Sequence, residues 1–300
     1  MGYETILYET DGAIATITLN RPDRLNTIVP LMPQELADAV VRASRDPDVR
    51  VIVLCGAGRA FCAGFDFSED FGHFRDLLST EGRWDPGKDM IGTTTAFWAP
   101  VPNFMSMWRS PKPVIAQVHG WCVGGGSDMA LCADIVIAAE DAQIGTPYSR
   151  VWGCYLTGMW IYRLGLAKAK WFALTGEPLS GKEAAEIELI NKAVPFPELE
   201  NEVRRCAERL AQLPPSQLAA MKLIVNQAYE NMGLHHTQQL GPILDGYMRN
   251  TPEALAFVKK AATEGVAKAI ADRDGPFADY SQGPPSRQPS RDHVIRPRGV

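Results

Sequence analysis

At 300 residues, 46% of them hydrophobic and 22% charged, the chain can bury one large core or two modest ones. A formal charge of −5 argues against nucleic acid as a partner of the folded part. With no uncharged apolar run of about 18 residues, a membrane-spanning helix is not expected.

The N-terminus, MGYETILYET, has neither a basic start nor an apolar signal stretch, so the expectation is a cytoplasmic protein. The first clear strand is Ala13–Leu19 (AIATITL). Val51–Cys55 (VIVLC) is a short, wholly apolar run suited to a parallel strand buried on both faces. Between them Leu36, Ala37, Val40 and Val41 recur at helical spacing, which predicts strand–helix–strand. Phe71–Ser110 breaks the rhythm. It is long, holds Trp84, Trp98 and Trp108, and reads as a pocket roof or as an ordinary surface insertion. Pro113–His119 and Asp134–Ala138 supply further strands. From about Gly158 the strand signal fades, and helical patterns follow one another with breaks at Gly176–Ser180, Leu213–Ser216 and Thr251–Pro252. Ser281–Val300 holds four arginines against one aspartate and is Pro-rich, which predicts a flexible, solvated tail. Cys55, Cys62, Cys122, Cys132, Cys154 and Cys206 show no C-x-x-C pair and no His at zinc spacing. They read as reduced thiols, and no metal is expected.

Two glycine loops carry the chemistry. The strand PVIAQVH leads into GWCVGGGSD and then MALCADI, a stretch long enough for one or two helical turns. A helix N-terminus there would leave free backbone N–H groups that no Cβ shields; the alternative is a tight turn packed on a neighbouring strand. After VIVLC comes GAGRAFCAGFDFSED, again strand, glycine loop and then helix, with Asp66 as the expected N-cap. A dinucleotide fingerprint fails because Phe61 stands where the third glycine belongs. Two such junctions on adjacent strands would aim two N–H donors at one point, which describes an oxyanion hole. Asp128 is either a first-turn partner of the helix dipole or a proton-transfer group. His119 reads as a packed strand-end residue rather than a base, and His73 as a surface residue.

The stretches RPDRLNTI, GAGRAFCAGFDF, SPKPVIAQVHGWCVGGGSDMALCADIVIAAEDAQIG and LTGEPLSGKEAAEIELINKAV resemble, in order and spacing, the signature blocks of the crotonase (enoyl-CoA hydratase/isomerase) family. The resemblance runs from about Tyr3 to Tyr280. It implies an α/β fold, a spiral of ββα units, with the core in residues 1–200, a helical C-terminal trimerisation region in 201–275 and the tail in 276–300. It also implies a homotrimer or dimer of trimers acting on an acyl-CoA thioester, with coenzyme A as part of the substrate and no separate cofactor. The family's oxyanion donors map onto the N–H groups of Phe65 and Gly125. Its CoA contacts map onto Arg24, Leu25, Ala63, Phe65, Asp66, Phe67, Ser68 and Gly124, with Arg273 and Phe277 reaching the nucleotide from a neighbouring subunit. Of the family's two hydratase glutamates, the first matches Asp128, one methylene shorter. The second falls on Tyr148 or Ser149, depending on register, and no acidic residue occurs from Ala142 to Gly176. Tyr155 and Arg150 are further candidate donors. The resemblance therefore implies an enolate-stabilising enzyme of the hydratase/isomerase type with one acid, which suits double-bond isomerisation or decarboxylation. A non-catalytic acyl-CoA-binding protein is the alternative.

Overall fold

The computed structural model describes residues 2–67, 72–151 and 153–280. Ser68, the side chain of His73 and the segment from Ser281 lie outside the described residues. An antiparallel hairpin opens the chain, β1 (Ile6–Asp11) against β2 (Ile14–Leu19). Helix α1 (Leu31–Arg45) then crosses over to β3 (Val51–Gly56), which lies parallel to β2. Met32, Leu36, Ala39, Val40 and Ala43 form the buried stripe of α1, while Val41 is exposed. All six residues of β3 are buried, as its unbroken apolar run requires.

The segment after β3 is part roof and part core. Helix α2 (Gly72–Leu78), the hairpin β4 (Ser79–Thr80) and β5 (Arg83–Trp84), and α3 (Pro86–Thr94) form the roof. Helix α4 (Pro100–Arg109) instead sinks Phe104, Met105, Met107 and Trp108 into the main core. There follow β6 (Val114–Val118), β7 (Trp121–Val123), α5 (Gly125–Ala130), β8 (Ile135–Ala139) and β9 (Gln143–Gly145). Helices α6 (Met159–Leu164) and α7 (Leu166–Thr175), β10 (Leu179–Ser180), α8 (Gly181–Glu186) and β11 (Lys192–Val194) complete the α/β part. The large sheet runs β1-β2-β3-β6-β8-β11 and is parallel from β2 onward; the small one runs β10-β9-β7. Each turn of the chain leaves the large sheet, adds a short piece to a second ladder and continues into helix. The backbones of Cys62 and Cys122 form an isolated parallel β-bridge, and β7 pairs in parallel with β9. This is the expected spiral of ββα units.

The helical region differs from expectation in three ways. Strand β11 breaks the predicted helical run. It is three residues long and pairs on one edge only, too short to register as a pattern. The boundary expected at 200/201 falls inside α9 (Phe196–Ala211), whose Leu199, Val203 and Ala207 join the main core. Beyond it run α10 (Pro215–Asn231), α11 (Leu234–Met248), α12 (Pro252–Glu264) and α13 (Val266–Asp274). Finally, the residues just past Gly275, expected as the start of the tail, are docked: Tyr280 is buried and stacks on Trp121 at 6.3 Å. Among the described residues no helix is long and apolar enough to cross a membrane.

Candidate active site

Strands β3 and β6 are parallel neighbours, so the loops that leave them open on the same side of the sheet. Backbone bonds stitch those loops together: Phe61 N–H to His119 O (2.8 Å), Cys62 N–H to Trp121 O (2.9 Å) and Val123 N–H to Cys62 O (3.0 Å). On the other side of the first loop, Ile28 N–H donates to Gly64 O and receives, at its own carbonyl, the N–H of Asp66 (2.8 and 2.9 Å). Phe65 sits between these two bonds. By the alternation of a strand its N–H faces away from Ile28.

Gly124 makes the turn from β7 into α5 with φ 56° and ψ −126°, a conformation that a side chain would strain. Gly125 is the first residue of the helix, so its N–H has no intrahelical partner. The two junctions touch. A Cβ placed on Gly64 would stand 3.9 Å from Gly125 N, and one on Gly125 would stand 2.6 Å from Phe65 Cε2. The Phe65 and Gly125 N–H groups thus come from chain segments in direct contact.

One helical turn on, Asp128 is fully buried. Its Oδ2 accepts the Tyr148 hydroxyl at 2.8 Å, and its Oδ1 accepts the Thr157 hydroxyl at 2.8 Å. Burial raises the carboxyl to about 6, against the lowering effect of the bonds from Tyr148 and Thr157. Tyr148 is pushed well above its ordinary value by burial and by the Asp128 charge, so it stays a neutral donor. With its carboxyl near 6, the ionised form of Asp128 is favoured at neutral pH.

The structure brings Asp128 to Tyr148 and not to Ser149. The 3₁₀ turn Pro147–Ser149 points successive side chains in different directions, and exposed Ser149 lies against Gly176 and Arg150. Arg150 is engaged with Asp274, Asp279 and the carbonyl of Gly176, anchoring the C-terminal segment. Tyr155 stacks on Trp160 at 6.1 Å and meets Tyr148 edge-on at 6.2 Å. His119 is buried, with Nε2 2.9 Å from Gly58 O.

Of the expected CoA contacts, Leu25 and Ala63 are joined by an N–H···O bond of 3.0 Å, and Arg24 beside them is exposed. Asp66, the expected N-cap, precedes a helix whose start lies outside the described residues. Its buried carboxylate accepts Arg21 Nη1 at 2.8 Å and Thr27 Oγ1 at 3.1 Å, tying the RPDRLNT loop to the glycine loop. Phe67 packs against the Phe257 cluster of α12 and α13. Arg273 and Phe277 line a different cavity of about 580 Å³, with Arg150, Leu174 and Asp279.

Sequence reasoning missed a buried ion cluster where α11 crosses α3. Arg249, the C-cap of α11, pairs with Asp89 of α3 (2.9 Å) and with Asp245 one turn earlier (2.5 Å). Asp89 also accepts Trp84 Nε1 at 2.6 Å. Asp245 accepts the Cys154 N–H at 3.1 Å, and burial holds it above the usual carboxylate range despite Arg249. The charges of Asp245 and Arg249 reach Tyr148, so the cluster borders the Asp128–Tyr148 pair. Only the Phe71–Ser110 segment, read as a possible roof, pointed towards it. Among the described residues no group of three or more His, Cys, Asp or Glu side chains is placed to hold a metal ion.

The enoyl-CoA hydratase/isomerase family model matches residues 9–241. A crystal structure of enoyl-CoA hydratase from Mycobacterium smegmatis superposes with TM-score 0.84 and 40% identity, covering 92% of this chain and 95% of that one. A probable enoyl-CoA hydratase from Mycobacterium bovis is 31% identical over 88% of this chain and 98% of its own length. A 1,2-epoxyphenylacetyl-CoA isomerase from Escherichia coli is 33% identical over 91% of this chain and 98% of its own.

Proposed function

We propose, from the premise that this chain belongs to the enoyl-CoA hydratase/isomerase family, that it is an acyl-CoA enzyme in which Asp128 alone moves the proton. The thioester carbonyl oxygen sits between the Phe65 and Gly125 N–H groups, which hold the negative charge of the enolate. Ionised Asp128 takes a proton from C2 of a 3-enoyl thioester. The electron pair spreads over the carbonyl oxygen and the C3–C4 bond, and the same carboxyl returns the proton to C4, leaving the 2-enoyl isomer. One group serves both transfers, and atoms balance without water.

The observation that carries this reading is the buried Asp128, raised to about 6 and held by Tyr148 and Thr157, one turn from Gly125. A passive binder has no use for a carboxylate poised in this way, because ionising it there works against folding. Coenzyme A enters as part of the substrate, along Leu25, Ala63 and Phe67. Assembly as a homotrimer or dimer of trimers belongs to the same reading. It is supported by the exposed Met221, Ile224 and Val225 of α10, a helix with no buried residue, and sedimentation of the purified protein tests it. The test of the reaction is deuterium exchange between carbons: a 3-enoyl-CoA deuterated at C2 should become the 2-enoyl isomer with part of that label carried to C4. Absence of both exchange and isomerisation across a panel of enoyl-, branched- and malonyl-type thioesters would contradict it.

A further inference from the structure

Beyond Phe65 the site narrows into a slot of about 20 Å³, room for roughly one water. Its walls are mostly rings: Phe65, Phe67, Phe74, Trp84 and Trp98. Phe65 meets Phe74 edge-on at 5.9 Å, and Phe74 meets Trp98 at 5.9 Å, the separations at which aromatic groups attract one another. Arg249 closes one end, its guanidinium 5.3 Å from the centre of the Trp84 ring and its charge shared with Asp89 and Asp245. The larger cavity of about 450 Å³ behind Tyr148 is lined by none of Phe65, Gly125 and Asp128.

We infer that the slot receives the acyl group, and that this group is flat and conjugated, about one aromatic ring in size; the inference rests on the acyl-CoA reading above. The slot starts at the ring of Phe65, which lies on Gly125, so an acyl group extending past a thioester held as proposed above meets that ring first. A flat group enters between ring faces when Phe74 and Trp98 rotate. These two, with Leu78, form a small cluster separate from the main core, so their movement leaves the sheet undisturbed. A long saturated chain needs a tunnel instead, and here it would run into Arg249 and Asp89. Asp89 Oδ1 is buried without a hydrogen-bond partner, and alkyl packed there would seal it further from water.

The experiment compares cinnamoyl-CoA with trans-2-nonenoyl-CoA, thioesters of equal carbon count, on the full chain, by calorimetric affinity. The wild type should bind the cinnamoyl thioester about tenfold more tightly. Trp98→Leu and Phe74→Leu should each bring that ratio close to one and let trans-2-dodecenoyl-CoA bind. Because the readout is a ratio within one protein, partial loss of folded material does not move it. Equal or tighter binding of the nonenoyl thioester by the wild type, or an unchanged ratio in both variants, overturns the inference and leaves the acyl-CoA reading standing. Failure of both thioesters to bind overturns the inference and the acyl-CoA reading together.

Discussion

The floor and the roof of the site are built on different foundations. Gly125, Asp128 and Thr157 stand on or beside the main core, between loops that backbone bonds stitch to two parallel strands. Phe74 on α2, Trp98 in the link between α3 and α4, and Arg249 just past α11 are held by a satellite cluster and by three buried charges. Proton transfer tolerates errors of well under an ångström, so its groups belong on rigid elements. Choice of acyl group depends on side chains that can move apart. A floor variant should therefore damage turnover of every thioester alike, whereas a roof variant should change the ranking of thioesters.

The largest expected effect is on the floor. Asp128→Asn should lower turnover by about 10²–10⁴-fold while leaving thioester affinity within a few-fold, as single-turnover kinetics beside calorimetry would show. Equal loss for 4-phenyl-3-butenoyl-CoA and for a straight-chain 3-enoyl thioester is expected if floor and roof act separately; unequal loss would show that they do not. Gly125→Val comes next. Its side chain must displace Phe65 and crowd the N–H, so kcat/KM should fall by about 10²–10³-fold, with assembly and melting temperature close to wild type. Normal acyl-CoA affinity in this variant would remove the site assignment.

How much of this was legible depends on whether a feature is local. The apolar run of β3, the strand before the triglycine and Asp128 after it can be read in the sequence because each is a short pattern with its own chemistry. The choice between Tyr148 and Ser149 could not be made from spacing, since a single 3₁₀ turn decides which side chain faces Asp128. The bond from Arg21 to Asp66 was not legible, because the two lie far apart in sequence. Asp89 and Arg249 meet only because α11 passes close to α3 at Gly246, where a Cβ would stand 3.1 Å from Pro86 O. No local pattern announces that crossing.

Smaller effects follow from ionisation. Asp128 has its folded value raised, so the stability tied to its neutral form is fully present below about pH 4 and is lost as pH rises through about 6. Asp128→Asn should therefore be more stable than wild type at pH 7, by about 2–3 kcal/mol, with the difference vanishing near pH 4 in urea titrations. An asparagine variant that is less stable at pH 7 would show that Tyr148 and Thr157 fully offset the burial. Tyr148→Phe removes a bond that favours the ionised carboxylate. The acid limb of kcat/KM, centred near pH 6 in the wild type, should move up by about one unit, visible in a pH–rate profile; an unmoved limb would separate Tyr148 from the proton.

If one acid moves one proton, the wild type should show it in the ratio of two rates: isomerisation of a short 3-enoyl-CoA against hydration of crotonyl-CoA. Hydration needs a second group to activate water, and lacking one typically costs about 10²–10⁴-fold. The account predicts measurable isomerisation, with hydration slower by about that factor. Crotonyl-CoA hydration near 10³ s⁻¹, the upper end of ordinary enzyme rates, would contradict it and mean that a second acid, with Asp245 or Asp89 foremost, reaches the substrate.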